Sequence, residues 1–191
     1  GNCCYGNAVP GDAFDNGADS FDQHLPRPGA TKMMVTKLKD QARFDKGWIA
    51  ETLKVHNDLR MLHSAPPLQW SIECAEEAQK AADFSTRFDG VQHTHNKDYG
   101  QNIFKGKPGY YGAEDAIKSW YDELTHPGYK WTPETDMDGM SGCGHFTQVV
   151  WKETTHVGMS CDSSGKGYIV AHYLPAGNVK GFYRQNVLQG G

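Results

Sequence analysis

The amino-acid sequence predicts an α+β fold of three helices and a small antiparallel sheet. Two observations carry this reading. Buried-type residues recur at three-to-four spacing in three separate stretches, and short β-prone runs flank a turn-rich segment near the C-terminus. From Trp48 onward, Ile49, Leu53, His56, Leu59 or Arg60 and His63 predict an amphipathic helix over roughly 46–63. Pro66 and Pro67 stop it, because proline has no amide hydrogen and its ring clashes with the preceding turn. Ser71 is placed to cap a second helix, with Ile72, Ala75, Ala78 or Gln79, Ala82 and Phe84 or Ser85 as its buried stripe. A third helix is expected over about 113–124, with Ile117, Trp120, Tyr121 and Leu124 facing inward. Residues 102–105 form a short strand. Residues 157–161 and 168–173 flank Asp162-Ser-Ser-Gly-Lys-Gly167 as a hairpin.

Composition bounds what these elements can serve. A chain of 191 residues fits one domain. Residues 1–45 read as an N-terminal extension and 46–191 as the domain itself. The first 30 residues carry five glycines, three prolines and few aliphatics, so this stretch is expected to be extended unless its cysteines tie it down. No apolar run reaches the ~20 residues of a membrane span. Nineteen basic against twenty-three acidic residues give a net charge of −4, with no Lys/Arg cluster in the sequence. Nucleic acid and strongly anionic membranes are therefore poor partners on sequence grounds. Cys3, Cys4, Cys74, Cys143 and Cys161 form no CxxC pair of the zinc-knuckle type. The adjacent pair at the N-terminus reads instead as a disulfide anchor, which implies an oxidising, extracellular setting and a secreted protein. Gly1 begins no signal peptide, as expected of a trimmed product. The odd count leaves at least one thiol free or paired between chains. A Cys143–Cys161 closure would contribute about 3 kcal/mol. The alternative is buried thiols, for which Cys74, inside a helical stripe, is best placed.

The densest motifs are Gly144-His-Phe-Thr-Gln-Val-Val-Trp151 and His172-Tyr-Leu-Pro-Ala-Gly-Asn-Val179, joined by His56-Asn57-x-x-Arg60 in the first helix. They closely resemble the signatures of the CAP superfamily, the cysteine-rich secretory, antigen 5 and pathogenesis-related 1 proteins. The resemblance covers roughly 47–188, and within the superfamily the chain most resembles the venom allergen-like branch secreted by parasitic worms. It implies an αβα sandwich. It also implies a short helix over 145–151, where alternation alone suggests a strand. Cys143 matches disulfide-forming members. Ala171 stands where many secreted relatives have a cysteine, so the disulfide joining the last two strands is absent. Gly177-Asn178 suits a turn needing positive φ.

Three histidines could carry chemistry. His93 and His95 share a face in extended chain and read as a metal-ligand pair or as two ordinary loop histidines. The resemblance implies a cleft tetrad of two histidines and two glutamates, which maps onto His95, Gln101 in Gly-Gln-Asn102, Glu123 after Trp120, and His145. His95 has the closer spacing to Gly-Gln-Asn. The departure at Gln101 removes one negative charge, so a divalent cation, zinc or similar, is expected to bind weakly through His95 and His145. It also removes one partner of any acid–base pair, since an amide does not exchange protons near neutral pH. The expectation is a non-enzymatic protein. Cys143 beside His145 offers a superficial thiol–base pair for a hydrolase.

The stretch 121–142 places Tyr121, Leu124, Tyr129 and Trp131 around Pro127-Gly128 and ahead of a polar run, in the order of a mobile loop carrying exposed rings. The other reading is that the rings tuck into the core. The resemblance implies sterol binding at this loop and a fatty-acid groove between the Trp48 helix and the His145 helix. The expected protein is thus a secreted carrier of sterols, fatty acids or other small lipids at a host–parasite interface. The competing readings are a scaffold that shows its loops to a host protein and, below it, a hydrolase. A homodimer through exposed apolar loops is left open.

Overall fold

The structure, a computed structural model, describes residues 45–88, 90–94 and 97–191. The extension before Asp45, with Cys3 and Cys4, and also His95, lie outside the described residues. Helix α1 (Lys46–Leu62) begins at Asp45, whose carboxylate accepts the Trp48 N–H. Strand β1 (Gln69–Trp70) leads into α2 (Ile72–Ser85), capped by the Ser71 hydroxyl as expected. Strand β2 (Gly100–Lys105) precedes α3 (Ala113–Tyr121). The expected third helix tightens after Tyr121 into a 3₁₀ turn, Asp122–Leu124. Then come α4 (Pro133–Asp138), α5 (Gly144–Val149), β3 (His156–Cys161), β4 (Tyr168–Leu174) and α6 (Tyr183–Asn186). The 145–151 segment is helical at its start, as the resemblance implies and against its alternation.

The sheet runs β1-β3-β4-β2. It is mixed and not purely antiparallel, because Gln69 and Trp70 pair parallel with His156 and Val157. The antiparallel hairpin β3–β4 is as expected. Strand β4 is buried along nearly its whole length because helices cover both faces of the sheet. Tyr168 and Val170 meet Ala78, Ala81 and Ala82 of α2. Ile169, Ala171 and Tyr173 join the main core with Trp48, Ile117, Trp120 and Phe146 from α1, α3 and α5. This is the αβα sandwich. The small residues of α2 permit close approach, and a Cβ at Gly158 would come within 2.0 Å of the Ala75 nitrogen. Asn178 takes φ 59°, the turn conformation expected at that step.

The buried stripe of α1 bears out His56, His63 and, of Leu59 or Arg60, the arginine, but takes Trp48 and Thr52 in place of Ile49 and Leu53. Trp48, Thr52, His56 and Arg60 are buried, while Ile49, Leu53 and Leu59 are partly covered. Polar groups can occupy that stripe because each finds a partner. Trp48 Nε1 donates to the Met159 carbonyl at 2.7 Å. His56 Nδ1 lies 2.8 Å from the Thr52 carbonyl, which can only accept, so Nε2 accepts from the Tyr173 hydroxyl at 2.9 Å. Arg60 is fully buried and donates to four carbonyls: Pro66 at 2.8 Å, Val149 at 3.0 Å, Trp151 at 2.8 Å and Thr154 at 2.9 Å.

Cys74 and Cys143 are free and buried. Cys161 is disulfide-bonded, with neither as its partner. This corrects the expectation that Cys143 is a bridging cysteine and matches the buried-thiol reading of Cys74. The Cys143 thiol lies 3.4 Å from the Glu123 carbonyl, to which it donates.

Two outcomes follow. Replacing Arg60→Ala strands four buried carbonyls, and we expect urea unfolding to show a loss of about 3–5 kcal/mol. Burial pushes His56 and His172 down to about 4 from 6.5. The unfolded chain takes up protons below about pH 6.5 that these native rings refuse, so stability should fall as pH drops from about 6.5 to about 4, by up to about 3 kcal/mol per ring. Urea midpoints across that window check it, and His56→Gln should flatten the slope.

Candidate functional site

The best-organised pair of polar side chains is Glu123 and His145. The 3₁₀ turn after α3 brings Glu123 to the start of α5. There Oε1 accepts from His145 Nδ1 at 2.6 Å, and Oε2 accepts the backbone N–H of His145 at 2.9 Å and of Phe146 at 3.1 Å. Both oxygens are engaged. The carboxylate fixes the proton on Nδ1 and leaves Nε2 as the ring's acceptor nitrogen. The imidazole stacks on Trp120 with centroids 6.3 Å apart, and Asn102 Nδ2 holds the His145 carbonyl at 3.1 Å. The His145 side chain remains 31% exposed, and Nε2 carries the ring's free lone pair, the kind of donor a cation takes.

Gln101 stands in a separate network. Its Oε1 accepts the Thr94 N–H at 3.1 Å, a contact that only the oxygen can make, and this fixes the amide's orientation. The same oxygen accepts from His93 Nδ1 at 2.8 Å. Its Nε2 therefore donates to Thr94 Oγ1 and to His172 Nε2, both at 2.7 Å. His172 must then carry its proton on Nδ1, which is buried and has no partner among the described residues. Tyr99 stacks on that ring at 5.1 Å, and its hydroxyl donates to Glu73. The β2–β4 register pairs Gln101 with His172. Strand alternation puts both on the α2 side, opposite Asn102. The hydrogen bonds thus bring Glu123 onto His145 and join Gln101 to His93, Thr94 and His172, and none among the described residues joins Gln101 to Glu123 or His145. Sequence reasoning missed His172 and Tyr99. The signal was the amide at 101, which suits a neutral imidazole acceptor where a carboxylate would demand a donor.

The fit to a divalent cation is half complete in the described residues. No group of three or more His, Cys, Asp or Glu among them is arranged to hold a metal. His145 supplies one nitrogen, Glu123 serves to orient it, and the second expected ligand, His95, lies outside the described residues. The Cys143 thiol is pushed up by burial and donates to a carbonyl, the opposite of an activated nucleophile.

The expected lid is closed. Tyr129 is buried, and its ring meets Trp131 at 5.0 Å and Phe146 at 5.4 Å. Tyr121 packs on Phe146 at 5.6 Å, and its hydroxyl donates to His63 Nε2 at 2.8 Å. Trp131 Nε1 donates to the Val187 carbonyl at 2.8 Å, and Leu124 is partly buried against the same core. This corrects the reading of exposed rings on a mobile loop: each ring gains more from Phe146 than from water. The polar run beyond them folds as α4, capped by Thr132.

An open groove lies instead between α1 and α3, with a volume of about 460 Å³. Ala50, Val55 and Leu59 give it an apolar floor, and Lys54 and Lys118 stand at its rim, paired with Asp58 and Glu114. The acyl groove was expected one helix away, against the His145 helix.

Comparison with known proteins gives this arrangement a family. The model of the CAP, cysteine-rich secretory protein family matches residues 53–173. The chain is 38% identical over 144 residues to Repressed by EFG1 protein 1 of Candida albicans, covering 72% of this chain and 49% of that protein. It is 37% identical over 147 residues to human Golgi-associated plant pathogenesis-related protein 1, covering 72% of this chain and 90% of that one. It therefore spans half or less of several fungal relatives, among them Secreted protein RBT4 at 37% of its length. Among solved structures, NaASP2 with Zn2+ superposes with a TM-score of 0.61 at 26% identity, covering 77% of this chain and 87% of that one. Schistosoma mansoni venom allergen-like protein 4 gives 0.52 at 23%, covering 73% of this chain and 95% of that one, a likeness of fold. The worm branch thus rests on likeness of fold, while the sequence relatives named here are fungal and human. No helix among the described residues is long and apolar enough to cross a membrane. With 53–173 matched to the family model and a human member matched over most of its length, the chain belongs to the CAP family.

Proposed function

We propose that the protein is a secreted, non-enzymatic carrier of a small lipid. The observation that carries this reading is the open groove between α1 and α3, with an apolar floor and a lysine at each rim. A fatty acid fits that chemistry: its chain covers Ala50, Val55 and Leu59, and its carboxylate replaces Asp58 or Glu114 as the partner of Lys54 or Lys118. A sterol is the second cargo. The ring cluster of Tyr121, Tyr129 and Trp131 on Phe146 offers flat apolar faces, and a sterol enters there by lifting the loop that carries Leu124 and Tyr129. Secretion is supported by relatives named as secreted, such as Secreted protein RBT4. His145 Nε2 is the nitrogen that would take a divalent cation, with His95 as the second ligand, and the cation would add a Lewis-acidic centre to the cleft.

Labelled palmitate and cholesterol binding tests the proposal. Saturable palmitate binding should weaken about tenfold in Lys118→Glu, the loss of one charge-assisted contact, and more in Ala50→Trp, which fills the groove from an exposed position. Cholesterol binding should respond to Trp131→Phe and not to Ala50→Trp. Absence of saturable binding of either lipid overturns the carrier reading, and palmitate binding indifferent to both groove variants overturns the site.

A further inference from the structure

The groove between α1 and α3 opens close to where the described chain begins. Asp45 caps α1, and the groove runs from Ala50 to Leu59, about 8 to 21 Å along the helix from that cap. Ala50 is exposed, and Val55 and Leu59 are half-buried, so the described residues leave this apolar floor open.

The sequence that leads into Asp45 matches it. Residues 32–43 read Lys-Met-Met-Val-Thr-Lys-Leu-Lys-Asp-Gln-Ala-Arg. Met33, Met34 and Val35 are the longest run of large aliphatic side chains before Asp45, and Leu38 follows three residues later. The seven-residue step from Leu38 to Asp45 spans about 23 Å when extended, so Leu38 reaches the far end of the floor and Met33 to Val35 reach it with slack. Charge favours the same contact. Glu51, Asp58 and Glu114 line the groove with Lys54 and Lys118. Asp115 borders it beside Glu51, since both carboxylates lie within 4.0 Å of where a Gly112 Cβ would stand, and Lys46 lies one turn before Ala50. Four carboxylates thus face three ammonium groups, whereas the segment sets Lys32, Lys37, Lys39 and Arg43 against Asp40 alone. The Lys54–Asp58 and Lys118–Glu114 pairs are exposed and exchange partners at small cost.

We propose that residues 33–38 of the protein's own extension dock in this groove and compete with the fatty acid for it. The proposal rests on the acyl site of the carrier reading and adds its regulation. A free peptide or a second chain would lose its translational freedom on entering, but a segment tethered by so few residues is present at an effective concentration of about a millimolar, enough to populate a contact that is weak in solution.

Methionine oxidation in the full chain tests docking without any lipid. Dilute hydrogen peroxide converts accessible methionine to the sulfoxide, and Met61 and Met137, 71% and 59% exposed, serve as internal references. At initial rate, Met33 and Met34 should oxidise at least about threefold more slowly than Met61, and should reach its rate in Ala50→Trp, whose indole fills the groove. Palmitate binding should in turn tighten about fivefold in Met34→Ser/Leu38→Ser, which alters none of the described residues. Met33 and Met34 oxidised as fast as Met61 in the unaltered chain, or protection retained in Ala50→Trp, overturns the proposal. Protection that rises with protein concentration marks a segment donated by a second copy and overturns it as well, as does a palmitate affinity unchanged by Met34→Ser/Leu38→Ser. Protection that is lost in Ala50→Trp, in a chain that binds no palmitate, upholds the docked segment and overturns the carrier reading alone.

Discussion

The buried guanidinium of Arg60 is the interaction on which the rest of the molecule depends. It ties α1 to four backbone carbonyls, of which those of Val149, Trp151 and Thr154 belong to the end of α5 and the turn into β3. No hydrophobic residue can serve those oxygens, and lysine could not reach them in the same fork. The guanidinium is itself held down to about 10 by desolvation and stays charged at any physiological pH. Through it, the six-residue helix α5, too short to be stable alone, is fixed against the longest helix among the described residues. The position of His145 follows from that attachment at one end of α5 and from Glu123 at the other.

The cleft is therefore built by structural residues that look functional. Thr147 and Asn178 bond across the two signature motifs, and Gln148 accepts the Gly177 N–H while holding Thr154. Among the described residues, His145 offers one imidazole nitrogen, presented in a fixed tautomer by a carboxylate whose two oxygens are both engaged. Gln101, which stands where relatives are expected to have an acid, is held by Thr94 and by a neutral buried His172. A carboxylate there could not donate to the His172 Nε2 lone pair and would need that nitrogen to carry the ring's proton instead. The amide and the neutral ring thus fit each other as donor and acceptor.

Much of the fold was legible because helical spacing, the Ser71 cap and the hairpin turn are local signals. The partners of the polar stripe of α1 were not: period placed His56 and, as one of two options, Arg60 on the buried face but missed Thr52, and it cannot name what satisfies them, because those partners lie more than ninety residues away at Met159, Tyr173, Trp151 and Thr154. Strand β1 has two residues and no pattern to read. The rings of the 121–131 loop were placed correctly along the chain but misjudged in exposure, since their destination, Phe146, belongs to another motif. The groove between α1 and α3 arises only when segments far apart in sequence meet.

The most direct test of the account is a crystal structure of the protein grown with palmitate. The account predicts an acyl chain lying along Ala50, Val55 and Leu59 with its carboxylate bonded to Lys54 or Lys118, and a ring cluster over Phe146 unchanged. A chain bound elsewhere, or a groove left to solvent under saturating palmitate, would contradict it.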